Sequence, residues 1–225
     1  MKTVAVIPCH NEAAHIAGVV TKAKKHVDHV LVVNDGSTDY TTRAASVAGA
    51  YVRTLEENHG AGFAVSTGIK LAVDTLKPDI IVILDGDGQH DPEEIPNLVE
   101  CLNNKYYDTA MGIRVNGRMP TYRKFGNKIL SCICNIGCRF SPPDALTGFW
   151  AIKANAIPEL TEKKWGWAIE LLIKSRNKYR LTEIPVKAIY HNRYSDNSAT
   201  SPVWLGLVLL WMIIKWRFKV EVLRQ

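Results

Sequence analysis

Two carboxylates separated by a single glycine, Asp85-Gly86-Asp87, run directly into Gly88-Gln89-His90-Asp91-Pro92. Acids held that close repel each other unless a cation sits between them, and all-oxygen donors suit a hard divalent ion such as Mg2+ or Mn2+. Such an ion usually brings phosphates with it, and the glycines let backbone approach whatever binds. Asp and Gly are also ordinary turn formers, so the pair by itself reads as readily as a polar turn. The preceding residues decide between the two. Ile80-Ile81-Val82-Ile83-Leu84 is an apolar, β-branched run of the kind a parallel sheet buries on both faces. The acids therefore emerge at the carboxyl end of a central strand, where open α/β sheets place their ligands.

Other polar turns follow strands in the same way. Residues 3–7 form a first strand and lead into Pro8-Cys9-His10-Asn11-Glu12; residues 27–33 form a second and end in Asn34-Asp35-Gly36-Ser37-Thr38-Asp39. Helical patterns over 13–25, 41–48 and 63–76 alternate with strands at 27–33, 50–54 and 79–84, and Pro92 with Glu93 and Glu94 opens a further helix. Four strand–helix units in about a hundred residues predict a parallel, right-handed, doubly wound sheet. Its loops after strands one, two and four open on one edge, so Glu12, Asp35, Asp85 and Asp87 are expected to converge. The later half is less regular: strands at 108–114, 146–152 and 182–190, helices at 122–139 and 162–178, and a polar loop at 191–201. The expected organisation is one domain over 1–201 and a terminal helix over 202–225.

The 225 residues suffice for one large core, and their 47% hydrophobic and 22% charged composition is that of a globular protein. The net charge of +6 is concentrated: residues 114–143 hold six basic side chains (Arg114, Arg118, Arg123, Lys124, Lys128, Arg139) and no acid. Phosphate-bearing ligands or an anionic membrane suit that distribution, whereas no nucleic-acid motif is visible. Five cysteines and no secretory signal fit a reducing compartment. The spacing of Cys132, Cys134 and Cys138 lacks a zinc knuckle and is read as buried packing. Residues 203–214 are twelve apolar residues followed by Lys215-Trp216-Arg217-Phe218-Lys219. A bilayer-spanning helix takes about 20 apolar residues, so this segment is expected to lie in the plane of a membrane, with Trp and Lys/Arg at the headgroups. A Walker lysine pattern and a G-x-G-x-x-G turn after the first strand are both missing, which argues against an ATPase and dinucleotide redox chemistry.

Taken in order, Ile7-Pro8-Cys9-His10-Asn11-Glu12, Val33-Asn34-Asp35-Gly36-Ser37-Thr38-Asp39, Asn58-His59-Gly60-Ala61-Gly62 and Asp85-Gly86-Asp87-Gly88-Gln89-His90-Asp91-Pro92 resemble the family 2 inverting glycosyltransferases of the GT-A fold. The Gln89-His90 extension is similar to the dolichyl-phosphate mannose synthase and polyprenyl-phosphate branch. Asp144 with Thr147-Gly148-Phe149, Glu170 with Lys174, and Arg193 with Ser198 agree with it. The chain departs from the pattern at Trp150, where Arg is usual, and at Asp196 and Ala199, where Gly and Lys are usual.

The resemblance implies a mostly parallel Rossmann-like sheet and a set of roles. Pro8, His10, Glu12, Asp35, Asp85, Gly86 and Arg114 would bind the nucleotide sugar. Asp85, Asp87 and Gln89 would hold Mg2+ or Mn2+, and Arg123, Arg193 and Ser198 the acceptor phosphate. Asp87, Asp144 and Arg123 would serve the chemistry. The implied reaction moves a sugar from GDP-mannose or a UDP-hexose to a polyprenyl phosphate with inversion, at the cytoplasmic face of a membrane. A phosphate monoester is largely ionised at neutral pH, with its second pKa near ~6, so a strong base is dispensable; Asp144 is the candidate if one is used. The alternatives are extension of a lipid-linked saccharide or surface polysaccharide, whose hydroxyl acceptor requires a base, and a non-catalytic nucleotide-sugar-binding subunit.

Overall fold

The computed structural model describes residues 1–115, 121–138, 140–187, 189 and 202–222, the side chains of 121–124, 202, 203 and 205 excepted. Its centre is a seven-stranded sheet in the order β3-β2-β1-β4-β6-β5-β7. The strands are β1 (Thr3–Cys9), β2 (His29–Asn34), β3 (Tyr51–Thr54), β4 (Ile80–Ile83), β5 (Thr109–Val115), β6 (Trp150–Lys153) and β7 (Leu181–Lys187). Every residue of β1 and of β4 is buried, as their unbroken apolar character requires of central strands. Helices α1 (Ile16–Ala23), α2 (Thr41–Val47), α3 (Ala61–Leu71) and α4 (Ile95–Asn103) make the crossovers of the first half. Helices α5 (Thr121–Asn135), α6 (Trp167–Arg176) and α7 (Pro202–Arg217) belong to the second. Two buried clusters, one on each face of the sheet, form the core.

The sheet is mostly parallel, as expected, and one strand is reversed. β6 runs antiparallel to both β4 and β5, with Ile83 opposite Trp150 and Met111 opposite Trp150; the other neighbouring strands are parallel. β6 is also shorter than the expected 146–152, because residues 147–149 form a loop. A reversed strand enters the sheet at the edge where its neighbours end. The segment before β6 therefore joins the loops that follow β1, β2, β4 and β5. Trp150 is fully buried and donates its indole N–H to Thr147 O at 2.8 Å, so this departure from the family pattern falls in the core. Cys134 is buried as expected, but Cys132 is exposed.

Candidate active site

The loop after β1 and the loop after β2 are knitted together. Asn11 N–H donates to Ser37 Oγ (2.9 Å), Glu12 N–H to Thr41 Oγ1 (2.8 Å), Ala13 N–H to Asp39 Oδ2 (3.1 Å) and Thr38 N–H to Asn11 Oδ1 (2.9 Å). Side chains here satisfy amides that no strand or helix serves. Asp35, nearly fully buried, accepts from His59 N–H at 2.8 Å and Gly60 N–H at 2.7 Å, one oxygen each. It thereby fixes the turn that opens α3. His10 Nδ1 lies 2.6 Å from Asp35 O.

The far wall comes from the segment before α6. Lys163 O and Lys164 O accept the Phe63 and Gly62 amides at 2.9 and 3.0 Å, capping the start of α3. This approach requires the glycines of Asn58-His59-Gly60-Ala61-Gly62. Gly60 has φ +102°, and a Cβ on Gly62 would lie 2.1 Å from Glu162 O. The segment itself is held by Glu170, completely buried, which accepts from Thr161 N–H (2.9 Å) and Glu162 N–H (2.7 Å) and pairs with Lys174 at 2.8 Å.

Between these walls lies a cavity of about 570 Å3, lined by Pro8, His10, Glu12, Asp35, Asp85, Gly86 and Asp87 from the expected set. His59, Gly60, Lys164 and Trp165 also line it. Sequence reasoning assigned none of these four to the site. The glycine pair signalled a close backbone partner, but nothing local says that the partner is residues 162–164. The expected convergence of Glu12, Asp35, Asp85 and Asp87 is present.

Asp85 sits at the floor, so close to the loop before β6 that a Cβ on Gly148 would meet its Oδ2 at 2.8 Å. Burial pushes its carboxyl above the ordinary range, and nearby Arg114 pulls the other way. His90 is buried beneath it, stacked on Phe149 with centroids 5.3 Å apart, and its Nδ1 takes the Asp85 N–H at 3.4 Å. Burial, and then Arg114, push the His90 imidazole down to about 4, so it is neutral at pH 7. Asp87 accepts from Gln89 N–H (2.9 Å) and from Gln89 Nε2 (2.7 Å), which makes the three candidate metal residues one connected turn.

The residues fit a divalent ion. The donors are hard oxygens, and a carboxyl held up by burial is one that a cation would stabilise. Among the described residues no group of three or more His, Cys, Asp or Glu side chains is gathered as a metal cage. Mg2+ and related ions typically use one or two carboxylates and take the rest of their shell from substrate phosphates and water.

Arg114 and Asp144, expected to serve the donor and the chemistry respectively, are brought together. They form a two-pronged ion pair, Nε to Oδ2 at 2.6 Å and Nη2 to Oδ1 at 2.7 Å. Both line a second cavity of about 590 Å3, whose walls include Ile113, Val115, Lys128, Cys132 and Pro143. Beyond β7, Ile189 N–H donates to Gln89 O at 2.9 Å, so the chain passes beside the turn that holds Asp87 and Gln89. The Arg123 side chain, Arg193, His191 and Ser198 lie outside the described residues.

Known proteins are similar to this chain in sequence and in fold. The dolichol-phosphate mannosyltransferase of Pyrococcus furiosus is 26% identical over 238 residues, covering 98% of this chain and 66% of its own length. The UDP-N-acetylglucosamine–dolichyl-phosphate N-acetylglucosaminyltransferase of Methanococcus voltae is 29% identical over 237 residues, covering 93% of each chain. Glucosyl-3-phosphoglycerate synthase of Mycobacterium tuberculosis, solved with Mn2+, UDP-glucose and phosphoglyceric acid, superposes with a TM-score of 0.73 at 22% identity, over 97% of this chain and 79% of its own. That likeness establishes the fold, a GT-A-like α/β sheet with flanking helices. The profile of Glycosyl transferase family 2 matches residues 4–160, and the chain belongs to that family.

Proposed function

We propose that the protein is a metal-dependent glycosyltransferase that moves a sugar from a nucleoside diphosphate sugar to a polyprenyl phosphate. The observation that carries the donor half is the single cavity in which His10, Glu12, Asp35, Asp85 and Asp87 meet. The acceptor half is supported by the second cavity, apolar along much of its wall and ending on Arg114 and Asp144. An isoprenoid chain suits such a wall. The names of the two archaeal relatives point the same way.

Asp85 and Asp87, with Gln89 beside them, would hold Mg2+ or Mn2+. The ion, when bound, neutralises the donor diphosphate and makes it a better leaving group. His10, Glu12 and the Asp35-braced turn would orient the nucleoside. An acceptor phosphate oxygen attacks the anomeric carbon from the face opposite the diphosphate. The bond from that carbon to the diphosphate oxygen breaks, the diphosphate leaves with the electron pair, and the configuration inverts. Asp144 has both oxygens turned to the Arg114 guanidinium, the arrangement of a positioning carboxylate rather than of a base poised over a hydroxyl. This favours an acceptor that is already ionised. Arg114, freed or shared, then offers a planar fork to a phosphate. Arg123, Arg193 and Ser198 would complete that clamp.

The test is a thermal-shift titration with UDP and GDP, with and without Mn2+, followed by transfer of radiolabelled sugar to a polyprenyl phosphate. We expect one nucleotide to raise the melting temperature only with metal, and Asp85→Asn and Asp87→Asn to remove that shift. Those variants should also lower turnover on the order of a hundredfold or more, the scale on which electrostatic stabilisers of a reacting group act. No labelled product across a panel of GDP- and UDP-sugars would reject the enzyme reading.

A further inference from the structure

Two adjoining helices carry bare apolar stripes. On α7 and the turn beyond it, Trp204, Leu207, Trp211, Ile214 and Phe218 recur every three or four residues, each more than half exposed. On α5 and the turn after it, Phe125, Ile129, Cys132 and Ile136 recur in the same rhythm and are also exposed. The inner faces of both helices, Met212, Ile213 and Trp216 on α7 and Leu130 and Cys134 on α5, enter one core cluster. Arg217 Nη1 donates to Ile133 O at 3.1 Å, so the helices lie side by side. A helix that is apolar all round but covered on one face only needs a second partner.

Basic groups flank the α7 stripe, although Trp216 itself is buried and Lys215 also pairs inward with Glu162. Lys215 Nζ stands 5.3 Å from the Trp211 ring, Lys219 Nζ stands 5.1 Å from the Trp216 ring, and exposed Lys128 adjoins the α5 stripe. Ammonium groups beside indoles over an apolar strip match an anionic lipid surface. A second copy of the chain would set one basic rim against another. None of the helices among the described residues is long and apolar enough to cross a membrane, so contact would be in plane.

The inner face of α7 holds something else. Glu162 Oε2 accepts from Lys215 Nζ at 2.7 Å and from Trp216 Nε1 at 3.3 Å. Gly166 is pressed against α7 so closely that a Cβ there would lie 2.3 Å from Met212 Sδ. Between these two anchors run Lys164 and Trp165, which line the donor cavity, and the carbonyls that cap α3.

We propose that α7 is a membrane-docking brace: its outer stripe rests on an anionic lipid surface while its inner face holds residues 162–166 against the donor cavity, so that docking tightens the donor site. The proposal rests on the donor reading of that cavity. Lipid that binds only the seated α7 shifts the population toward the braced wall, and linkage makes donor binding strengthen docking in return.

The test uses the full chain with vesicles of equimolar phosphatidylcholine and phosphatidylglycerol, and with phosphatidylcholine alone. We expect co-sedimentation with the anionic vesicles only, and Trp211→Glu with Ile214→Glu to weaken it on the order of tenfold or more, given the cost of a charge in lipid. Hydrogen exchange of peptides covering 160–167 should slow when the anionic vesicles are added. Glu162→Ala should keep vesicle binding and lose that slowing. The same vesicles should tighten binding of UDP or GDP with Mn2+ in the wild-type chain and not in Glu162→Ala. Vesicle binding that survives the double substitution overturns the docking surface, as does a dimer by light scattering that the substitution dissociates. Exchange over 160–167 that ignores vesicles overturns the brace. If exchange responds but neither nucleotide binds, the donor reading fails and the docking brace stands.

Discussion

At the scale of single residues, the site contains side chains that are structural first. Asp35 and Glu170 spend their oxygens on backbone amides, and His90 supports Asp85 from below. Cys9, at the edge of the donor cavity, has its thiol pushed up to about 12, mainly by burial and then by Glu12, Asp39 and Asp35. The thiolate is the reactive form, and a raised pKa keeps Cys9 protonated well into alkaline solution. At pH 8 iodoacetamide should label exposed Cys132 and leave Cys9 intact, with Cys9 labelled only on unfolding; mass mapping of the alkylated peptides decides this. For Asp144→Asn we expect a rise of the acceptor KM larger than the fall in kcat, since the change disturbs Arg114 and removes no needed base. A collapse of kcat at unchanged KM would restore Asp144 as a base and favour a hydroxyl acceptor. That Glu12, Asp35, Asp85 and Asp87 would share one cavity was legible in the sequence because polar turns at the carboxyl ends of buried strands use a small vocabulary. Lys164 and Trp165 were not, since their place depends on packing a hundred residues away from Gly60 and Gly62.

At the scale of elements, the stretch from Thr161 to Gly166 has no regular structure, yet three elements meet on it: α3 through Gly62, α6 through Glu170 and α7 through Glu162. Glu170 is the centre of that junction, a buried carboxylate with a lysine and two backbone amides. Breaking a buried, paired charge costs about 3–5 kcal/mol, so Glu170→Ala should lower the denaturation midpoint by the corresponding amount. It should also loosen nucleotide binding, although Glu170 is absent from the cavity wall. Equilibrium urea unfolding and titration of UDP or GDP with Mn2+ check the two effects. The alternation of strand and helix through residue 103 was readable because buried parallel strands are written as continuous apolar runs. The direction of β6 was not. Four residues such as Trp150–Lys153 pair equally well in either sense, and only their neighbours choose. Asp144 lies on the edge that carries Asp85 because of that reversal; the loop before a parallel strand would open on the opposite side.

For the whole molecule, the sheet divides at the contact of β4 with β6. On one side β3-β2-β1-β4 carries the donor loops; on the other β6-β5-β7 carries Arg114 and the approach to Asp144. Ligands that bind only the folded state stabilise it by mass action, about 2.7 kcal/mol at a hundred times Kd. The cognate nucleotide with Mn2+ should therefore raise the melting temperature of the entire chain as one transition.

The reversed β6 has a further consequence for how such a protein can change over time. Because that strand delivers the residues before it to the working edge, insertions or exchanges between α5 and β6 alter what approaches Asp85 without touching the register of β1, β2 or β4. Under the proposed function, one half would keep the nucleotide cavity while the other changes what is offered to the acceptor.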